Sequence, residues 1–169
     1  MIPVIERKWA MPNKWTFKIK PIAELLKEEM NINKEIWIDP FAGMNSPAQW
    51  KNDINRSMNT THNMDALDFL DKYHDVDGVI LDPPYSLRQI SEHYKQAGVK
   101  VTGWHTSAGW SSTIKDKATK AIKKGGKAIC FGWNTQGLGK TRGFSLKRVL
   151  IVPHGGSKND TLVTVEIKN

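Results

Sequence analysis

Cysteine is almost absent from this chain, which carries Cys130 and no other. A single cysteine excludes an internal disulfide and is typical of a reducing cytoplasm, where we expect this protein to reside. It also cannot build a cysteine zinc site, and the five histidines lack the spacing of metal ligands, so no metal is expected. Cys130 lies in an apolar run, and we expect it to fill the core.

Long apolar runs are missing as well. No run approaches the ~20 residues that a membrane-spanning helix needs, and the charged residues 1–9 do not resemble a signal peptide. Internal repeats, low-complexity segments and a Walker-type phosphate loop are also absent. These absences argue against a membrane protein, a repeat protein and a P-loop nucleotide-binding protein.

Positive charge is in excess, with 25 Lys and Arg against 17 Asp and Glu and a formal net charge of +8. Such an excess favours a polyanionic partner such as nucleic acid, although a merely basic soluble protein would have the same composition. The length of 169 residues suits a single domain, residues 1–169.

Strand and helix patterns alternate along the chain and end in two consecutive strands. This order predicts an α/β fold with a mostly parallel sheet and a C-terminal antiparallel hairpin, after an irregular segment over residues 1–20. Helices are predicted over residues 21–30, 63–73, 87–96 and 114–124, the last ended by Gly125 and Gly126. Strands are predicted over residues 36–39, 51–54, 76–81, 127–133, 146–152 and 161–168.

Residues 82–85 read Asp-Pro-Pro-Tyr and follow the predicted buried strand, at the end where open α/β sheets bind ligands. An exocyclic amine of a nucleobase is a poor nucleophile, because its lone pair is delocalised into the ring. Asp82 can accept one N–H and a carbonyl of the stiff Pro83–Pro84 pair the other, which aims the lone pair at a methyl sulfonium. Tyr85 offers a face for a flipped base. Alternatively, the four residues form an ordinary turn, where Asp and Pro are common.

The motif and its continuation to Tyr94 resemble the Rossmann-like, S-adenosylmethionine-dependent amino-methyltransferases. The likeness is greatest to the adenine-specific DNA methyltransferases of the Asp-Pro-Pro-Tyr type, in their small phage and prophage form without a separate target recognition domain. It covers about residues 11–167 and implies a class I methyltransferase fold, S-adenosylmethionine as cofactor and methylation of the N6 amine of adenine in DNA. Three alternatives stay open: an RNA adenine or guanine amino-methyltransferase, a DNA cytosine-N4 methyltransferase, and a catalytically silent cofactor- or nucleic-acid-binding subunit.

The resemblance implies a cofactor site built from separate segments. Residues 39–43 resemble the loop that cradles the methionine part of the cofactor, Asp53 takes the place of the ribose-binding acid, and Asp65 that of the acid at the adenine amine. Either of the last two could instead be a solvated cap. The chain departs from the family after Gly43, where a second glycine and a full helix are missing, so the first helix must be short or absent. The implied cofactor-binding set is Phe17, Lys18, Asp39, Pro40, Phe41, Ala42, Gly43, Asp53, Asp65 and Asp82, with Trp15 as a weaker candidate.

Two loops, residues 86–112 and 134–145, are the candidate substrate-contacting segments. Trp133 and Asn134 follow a predicted strand at the rim of the implied target-base pocket, and the basic residues of the second loop suit phosphate contacts. Charge runs are more often solvated faces, which is the alternative here. Since no recognition domain is present, we expect relaxed sequence specificity, or a protein partner or homodimer that supplies it. The implied substrate-binding set is Tyr85, Ser86, Arg88, Trp133, Asn134, Lys140 and Arg142, with Lys147 and Arg148 nearby.

Overall fold

The computed structural model describes residues 2–169, without the side chain of Leu87. Its strands are β1 (Val4–Arg7), β2 (Trp37–Asp39), β3 (Trp50–Lys51), β4 (Val76–Leu81), β5 (Ile122–Gly132), β6 (Phe144–Val152) and β7 (Thr161–Lys168). Its α-helices are α1 (Lys20–Glu29), α2 (Ala66–Asp71), α3 (Leu87–Gln96) and α4 (Ala108–Ala121), and short 3-10 helices cover Thr16–Lys18 and Lys140–Arg142.

The strands form one sheet in the order β1-β6-β7-β5-β4-β2-β3. All neighbouring strands are parallel except β7, which runs antiparallel to both β5 and β6. The predicted fold class, α/β with a mostly parallel sheet and a C-terminal antiparallel hairpin, is therefore confirmed.

Helices cover both faces of this sheet. Side chains alternate along a strand, so β4 sends Ile80 to one face and Val79 to the other. On the Ile80 face, α1 buries an apolar stripe that includes Ile22 and Leu25. On the Val79 face, α2, α3 and α4 bury their apolar side chains. Burial on both faces is what a mainly parallel sheet requires.

The order of the strands creates a crevice between β2 and β4. The chain passes from β2 outward to β3 at the sheet edge and then returns to β4 on the opposite side of β2. Connections that leave two adjacent strands in opposite directions open a ligand crevice at the strands' carboxyl ends. Asp39 is the last residue of β2 and Asp82 follows the last residue of β4, so both lie at this crevice.

Two sequence predictions are wrong in their extent. Residues 1–20 are not wholly irregular, because β1 pairs with β6; as an exposed edge strand it lacks the alternation that reveals a strand. The helix predicted over 114–124 is α4, which begins earlier because Ser107 caps it, accepting a hydrogen bond from the Trp110 N–H at 3.2 Å. The helix also ends earlier, and Gly125 and Gly126 belong to β5 instead of terminating it.

Other segments differ less. The predicted strand over 51–54 is only β3 and an isolated bridge at Asn52, and the helix predicted over 63–73 is the shorter α2. The prediction that the first helix is short or absent is confirmed, since the described chain between β2 and β3 forms no helix. Cys130 packs against the core, and burial raises the pKa of its thiol to about 12.

Candidate active site

A cavity of about 310 Å³ lies at the carboxyl ends of β2 and β4. Its walls come from the N-terminal segment 14–17, the loop 40–45 after β2, residues 52–55 after β3, the motif 82–85 after β4, and α3. This volume is at the lower end of the range for small-molecule sites. Of the residues predicted from the sequence, the cavity brings together Phe17, Pro40, Phe41, Ala42, Gly43, Asp53, Asp82, Pro83, Pro84 and Tyr85, and also the weaker candidate Trp15.

Asp39 is fully buried and does not line the cavity. Its Oδ1 accepts the Phe41 N–H at 2.9 Å, and its Oδ2 accepts the Ser46 hydroxyl at 2.6 Å. Burial raises the pKa of Asp39 to about 7, and the charges of Asp82 and Asp53 act in the same direction. Asp39 therefore fixes the loop after β2, and its side chain is not part of the cavity wall.

Asp53 joins this loop to the end of β3. Its Oδ2 accepts the Gly43 N–H at 3.1 Å and its Oδ1 accepts the Asn55 N–H at 2.8 Å. Gly43 has a φ of +54°, a conformation that favours glycine, and faces open space where a side chain would stand. Burial raises the pKa of Asp53, and the two N–H bonds and His93 partly oppose that shift. The result is a fixed, half-buried carboxylate on the cavity wall.

Asn52 was missed by sequence reasoning and is fully buried beside this wall. Its side-chain amide donates to the carbonyls of Pro40 at 3.2 Å and Met64 at 2.9 Å, and its oxygen accepts the Met64 N–H at 3.0 Å. It therefore ties the loop after β2 to the start of α2. In the sequence Asn52 lies inside the strand predicted over 51–54, which gave no signal for this role.

The Asp82–Tyr85 motif closes on itself in this structure. The Tyr85 hydroxyl donates a hydrogen bond to Asp82 Oδ1, and the Tyr85 N–H donates to Gln89 Oε1 of α3 at 2.8 Å. Burial raises the pKa of Asp82 to about 6, while hydrogen bonds from Tyr85 and Thr16 partly offset the rise. Burial and the neighbouring Asp82 carboxylate also raise the pKa of Tyr85. The phenol thus occupies one of the two acceptor oxygens of Asp82, Oδ1.

Besides Asp39, two residues of the implied cofactor set lie outside the cavity wall. The Asp65 carboxylate accepts the Leu67 N–H at 2.8 Å and caps α2, which is the alternative role considered for it. Lys18 is exposed at the end of the first 3-10 helix. Its neighbour Phe17 lines the cavity and packs edge-on against Phe131, with ring centroids 5.5 Å apart.

The residues implied in substrate binding are scattered. Trp133 is 46% exposed and meets Tyr85 edge-on, with ring centroids 5.7 Å apart. Ser86 caps α3, accepting the Gln89 N–H at 3.2 Å, and Arg88 forms an ion pair with Glu92 at 2.7 Å. Asn134 and Lys140 are exposed, and Arg142 is hydrogen-bonded to Asp116 and Ser112 of α4. Lys147 forms an ion pair with Glu29, and Arg148 forms ion pairs with Glu6 and Glu28.

Several lining residues carry no recognisable motif and were not named as cofactor-binding or catalytic residues, although those of α3 lie within the predicted substrate-contacting segment 86–112. They come mainly from α3 and from the turns after β3, where sequence periodicity gives no information about what faces a cavity. They are Lys14, Thr16, Met44, Asn45, Ile54, Asn55, Met58, Met64, Ala66, Gln89, His93, Tyr94 and Gln96.

Across residues 2–169, the His, Cys, Asp and Glu side chains form no group of three or more that could hold a metal ion. In the same part of the chain, every helix is too short or too polar to cross a membrane.

Comparison with known proteins identifies the fold. No protein-family model matches the chain, and no curated protein does. Among solved structures, TrmN from Thermus thermophilus matches with a TM-score of 0.60 and 17% identity, over 89% of this chain and 49% of that one. Magnesium protoporphyrin IX methyltransferase ChlM from Synechocystis PCC 6803, with bound S-adenosylmethionine, matches with a TM-score of 0.58 and 13% identity, over 89% of this chain and 77% of that one.

The fold of this chain is the Rossmann-like methyltransferase fold. A methyltransferase homolog from Pyrococcus horikoshii also matches, with a TM-score of 0.53 and 10% identity, over 80% of this chain and 62% of that one. Identities this low show a shared fold and no more. The chain spans about half of the length of TrmN.

Proposed function

We propose that this protein binds S-adenosylmethionine in the cavity and transfers its methyl group to the N6 amine of adenine in DNA. One observation carries the proposal: the Asp82-Pro83-Pro84-Tyr85 motif lines the same cavity as Asp53 and the loop after β2. The motif suits the chemistry of a nucleobase amine, whereas Asp53 and the loop after β2 suit a cofactor. Their meeting at the crevice between β2 and β4 is what a methyl transfer between two bound molecules requires.

The cavity fits the proposed cofactor in its chemistry. Asp53 offers a fixed carboxylate to the ribose hydroxyls. Phe41, Ile54 and Met64 offer apolar surface to an adenine ring. The open turn at Gly43 leaves room for the methionine part to approach the backbone. ChlM, which shares the fold, contains S-adenosylmethionine in its structure.

The motif residues would hold the target amine. When bound, S-adenosylmethionine supplies a methyl group on a positively charged sulfur. Asp82 accepts one N–H of the amine and a carbonyl of Pro83 or Pro84 accepts the other. Tyr85 first turns its hydroxyl away from Asp82, which frees the acceptor, and then stacks on the base. The transfer would be an in-line displacement, so positioning supplies most of the catalysis. No strong general base is needed before the transfer, because the proton of the amine becomes acidic once the nitrogen carries the methyl group.

Nucleic acid is the proposed macromolecular partner. The net charge of +8 and the exposed cations Lys14 and Lys18 beside the cavity suit a phosphate backbone. Duplex DNA would require the adenine to be flipped out of the stack, at a cost of a few kcal/mol. The choice of DNA over RNA, and of adenine over cytosine, rests on the resemblance of the motif. A protein partner or homodimer would add the sequence specificity that the two short loops cannot supply.

The test is a methyl-transfer assay with labelled S-adenosylmethionine and three substrates: unmethylated double-stranded DNA, single-stranded DNA and total RNA. Products are digested to nucleosides and identified by mass. We expect N6-methyladenine in DNA with the wild type and none with Asp82→Ala. Asp68→Ala is the matched control, because Asp68 is an exposed residue of α2 outside the cavity.

Label in RNA alone, or methylcytosine in DNA, would replace the proposed substrate by one of the alternatives. Cofactor binding without any transfer would point to a required partner. Failure to bind S-adenosylmethionine would overturn the proposal and leave a silent subunit as the better description.

A further inference from the structure

The segment after β5, residues 133–143, leaves the proposed active site and then turns inward; we call it the clamped loop. It begins at Trp133, which meets Tyr85 at the cavity rim. Five residues later Leu138 is fully buried in the core, although the segment carries three glycines and was expected to be a solvent-exposed basic loop. Something must therefore satisfy the backbone polar groups that this inward turn takes out of water.

Glu166 supplies that contact. It lies on β7 between Ala128 of β5 and Leu146 of β6, and its residue surface is 3% exposed. Its Oε2 accepts the Leu138 N–H at 2.6 Å and its Oε1 accepts the Gly139 N–H at 3.0 Å. No salt bridge to Glu166 exists among the described residues, so the two N–H groups are its specific partners.

A buried carboxylate without a cation is costly unless its hydrogen bonds are strong. The loop is shaped to provide them. Gly137 has a φ of +54°, and a Cβ there would stand 2.9 Å from Glu166 Oε1 and closer still to Oε2. A glycine at this position is therefore required for the loop backbone to reach the carboxylate.

Arg142 holds the other end of the clamped loop. Its Nε donates to Asp116 Oδ1 at 2.7 Å and its Nη2 donates to Ser112 Oγ at 3.0 Å, both on α4. Its Nη1 also donates to the Leu138 carbonyl at 3.4 Å. Residues 138–142 are thereby held against β7 and α4, and residues 134–137 connect them to Trp133 at the cavity rim.

We propose that Glu166 is a positioning residue that fixes the clamped loop, and with it Trp133, against the motif at which the nucleic acid is held. Glu166 is buried under the loop and does not touch the substrate. The inference rests on the proposed function, because it assigns the substrate side of that same cavity to the clamped loop. The proposal predicts that a substitution of Glu166 weakens nucleic-acid binding and leaves the affinity for the cofactor unchanged.

The test is Glu166→Gln, which keeps the size of the side chain but turns one acceptor into a donor that opposes an N–H group. Two quantities are measured for each protein: the KM for the nucleic-acid substrate and the dissociation constant of S-adenosylhomocysteine. Amide hydrogen exchange at Leu138 and Gly139 reports the clamp directly. We expect the nucleic-acid KM to rise roughly tenfold, the cofactor constant to stay unchanged, and exchange at both amides to quicken.

Glu29→Gln is the matched control, since Glu29 is also a buried carboxylate, 5% exposed, and lies on α1 where its partners are Lys127, Lys147 and Arg148. It should destabilise the fold without changing either constant. Equal effects of the two variants on the KM, or an unchanged KM in Glu166→Gln, would overturn the positioning role.

Failure of the proposed function gives a different result. If the wild type transfers no methyl group, the affinity for a fluorescent DNA duplex replaces the KM. Weaker DNA binding in Glu166→Gln alone would then support the positioning role while the methyltransferase proposal falls. No DNA binding by the wild type would reject both.

Discussion

Gly78 stands at the centre of the strand that leads to the motif, and its missing side chain makes room for Trp37. Gly78 on β4 pairs with Trp37 on β2, and the indole is fully buried. A Cβ built on Gly78 would lie 2.5 Å from one carbon of the indole ring and closer to two others. Real Cβ contacts of this kind essentially never fall below 3.0 Å. Gly78→Ala must therefore displace the ring by several tenths of an ångström or more.

The indole has little freedom to move. Its Nε1 donates to Glu35 Oε2 at 2.8 Å, and its backbone N–H donates to Gln49 Oε1 at 2.9 Å. Overpacking of this kind costs about 1–3 kcal/mol of unfolding free energy, which for a chain of this size lowers the Tm by roughly 3–10 °C. Thermal unfolding followed by circular dichroism measures the change.

Gly103→Ala is the control, since Gly103 has no atom within 4 Å of an added Cβ and does not have a positive φ. It shares the small gain of about 0.4–1 kcal/mol that alanine brings by restricting the unfolded chain. The difference between the two variants thus isolates the clash with Trp37. Equal Tm values would refute the packing of β4 against β2 described above, and with it the position of the motif.

Three further predictions concern the cavity. Asp53→Ala should weaken S-adenosylmethionine binding roughly tenfold or more, because it removes charged hydrogen bonds worth about 1.5–3 kcal/mol each; calorimetry measures this, and an unchanged affinity would remove Asp53 from the site. Tyr85→Phe should keep most of the methyl-transfer rate while Tyr85→Ala loses it, because stacking on a base contributes about 1–3 kcal/mol; a dead Tyr85→Phe enzyme would show that the hydroxyl is needed. The methyl-transfer rate should fall as pH drops through about 6, the raised pKa of Asp82, because the ionised carboxylate is the stronger acceptor of an amine N–H; a rate independent of pH between 5 and 8 would contradict that role.

Much of the fold could be predicted because its strands and helices have strong local patterns. The strand over 76–81, the helix over 87–96 and the strand over 161–168 coincide with β4, α3 and β7. Elements that depend on distant partners could not be predicted in the same way. The edge strand β1 exists because β6 lies beside it, and β5 begins at Ile122 because Val76 of β4 pairs there.

The site shows the same division. Proline and aspartate at a strand end are local signals, so the residues of 39–43 and 82–85 could be placed at one crevice from sequence. The ion pair of Arg142 could not be predicted from its charge, because its partner Asp116 is 26 residues away on α4. The α3 residues that line the cavity are likewise brought there by packing of the helix, through Ile90 and Tyr94, and not by any motif.

The most direct test of the central claim is a crystal structure of the protein with S-adenosylhomocysteine. We predict ligand density in the cavity, with the ribose hydroxyls at the Asp53 carboxylate and the sulfur facing Asp82. Density elsewhere on the protein, or a cavity that stays closed to the ligand at saturating concentration, would contradict the account.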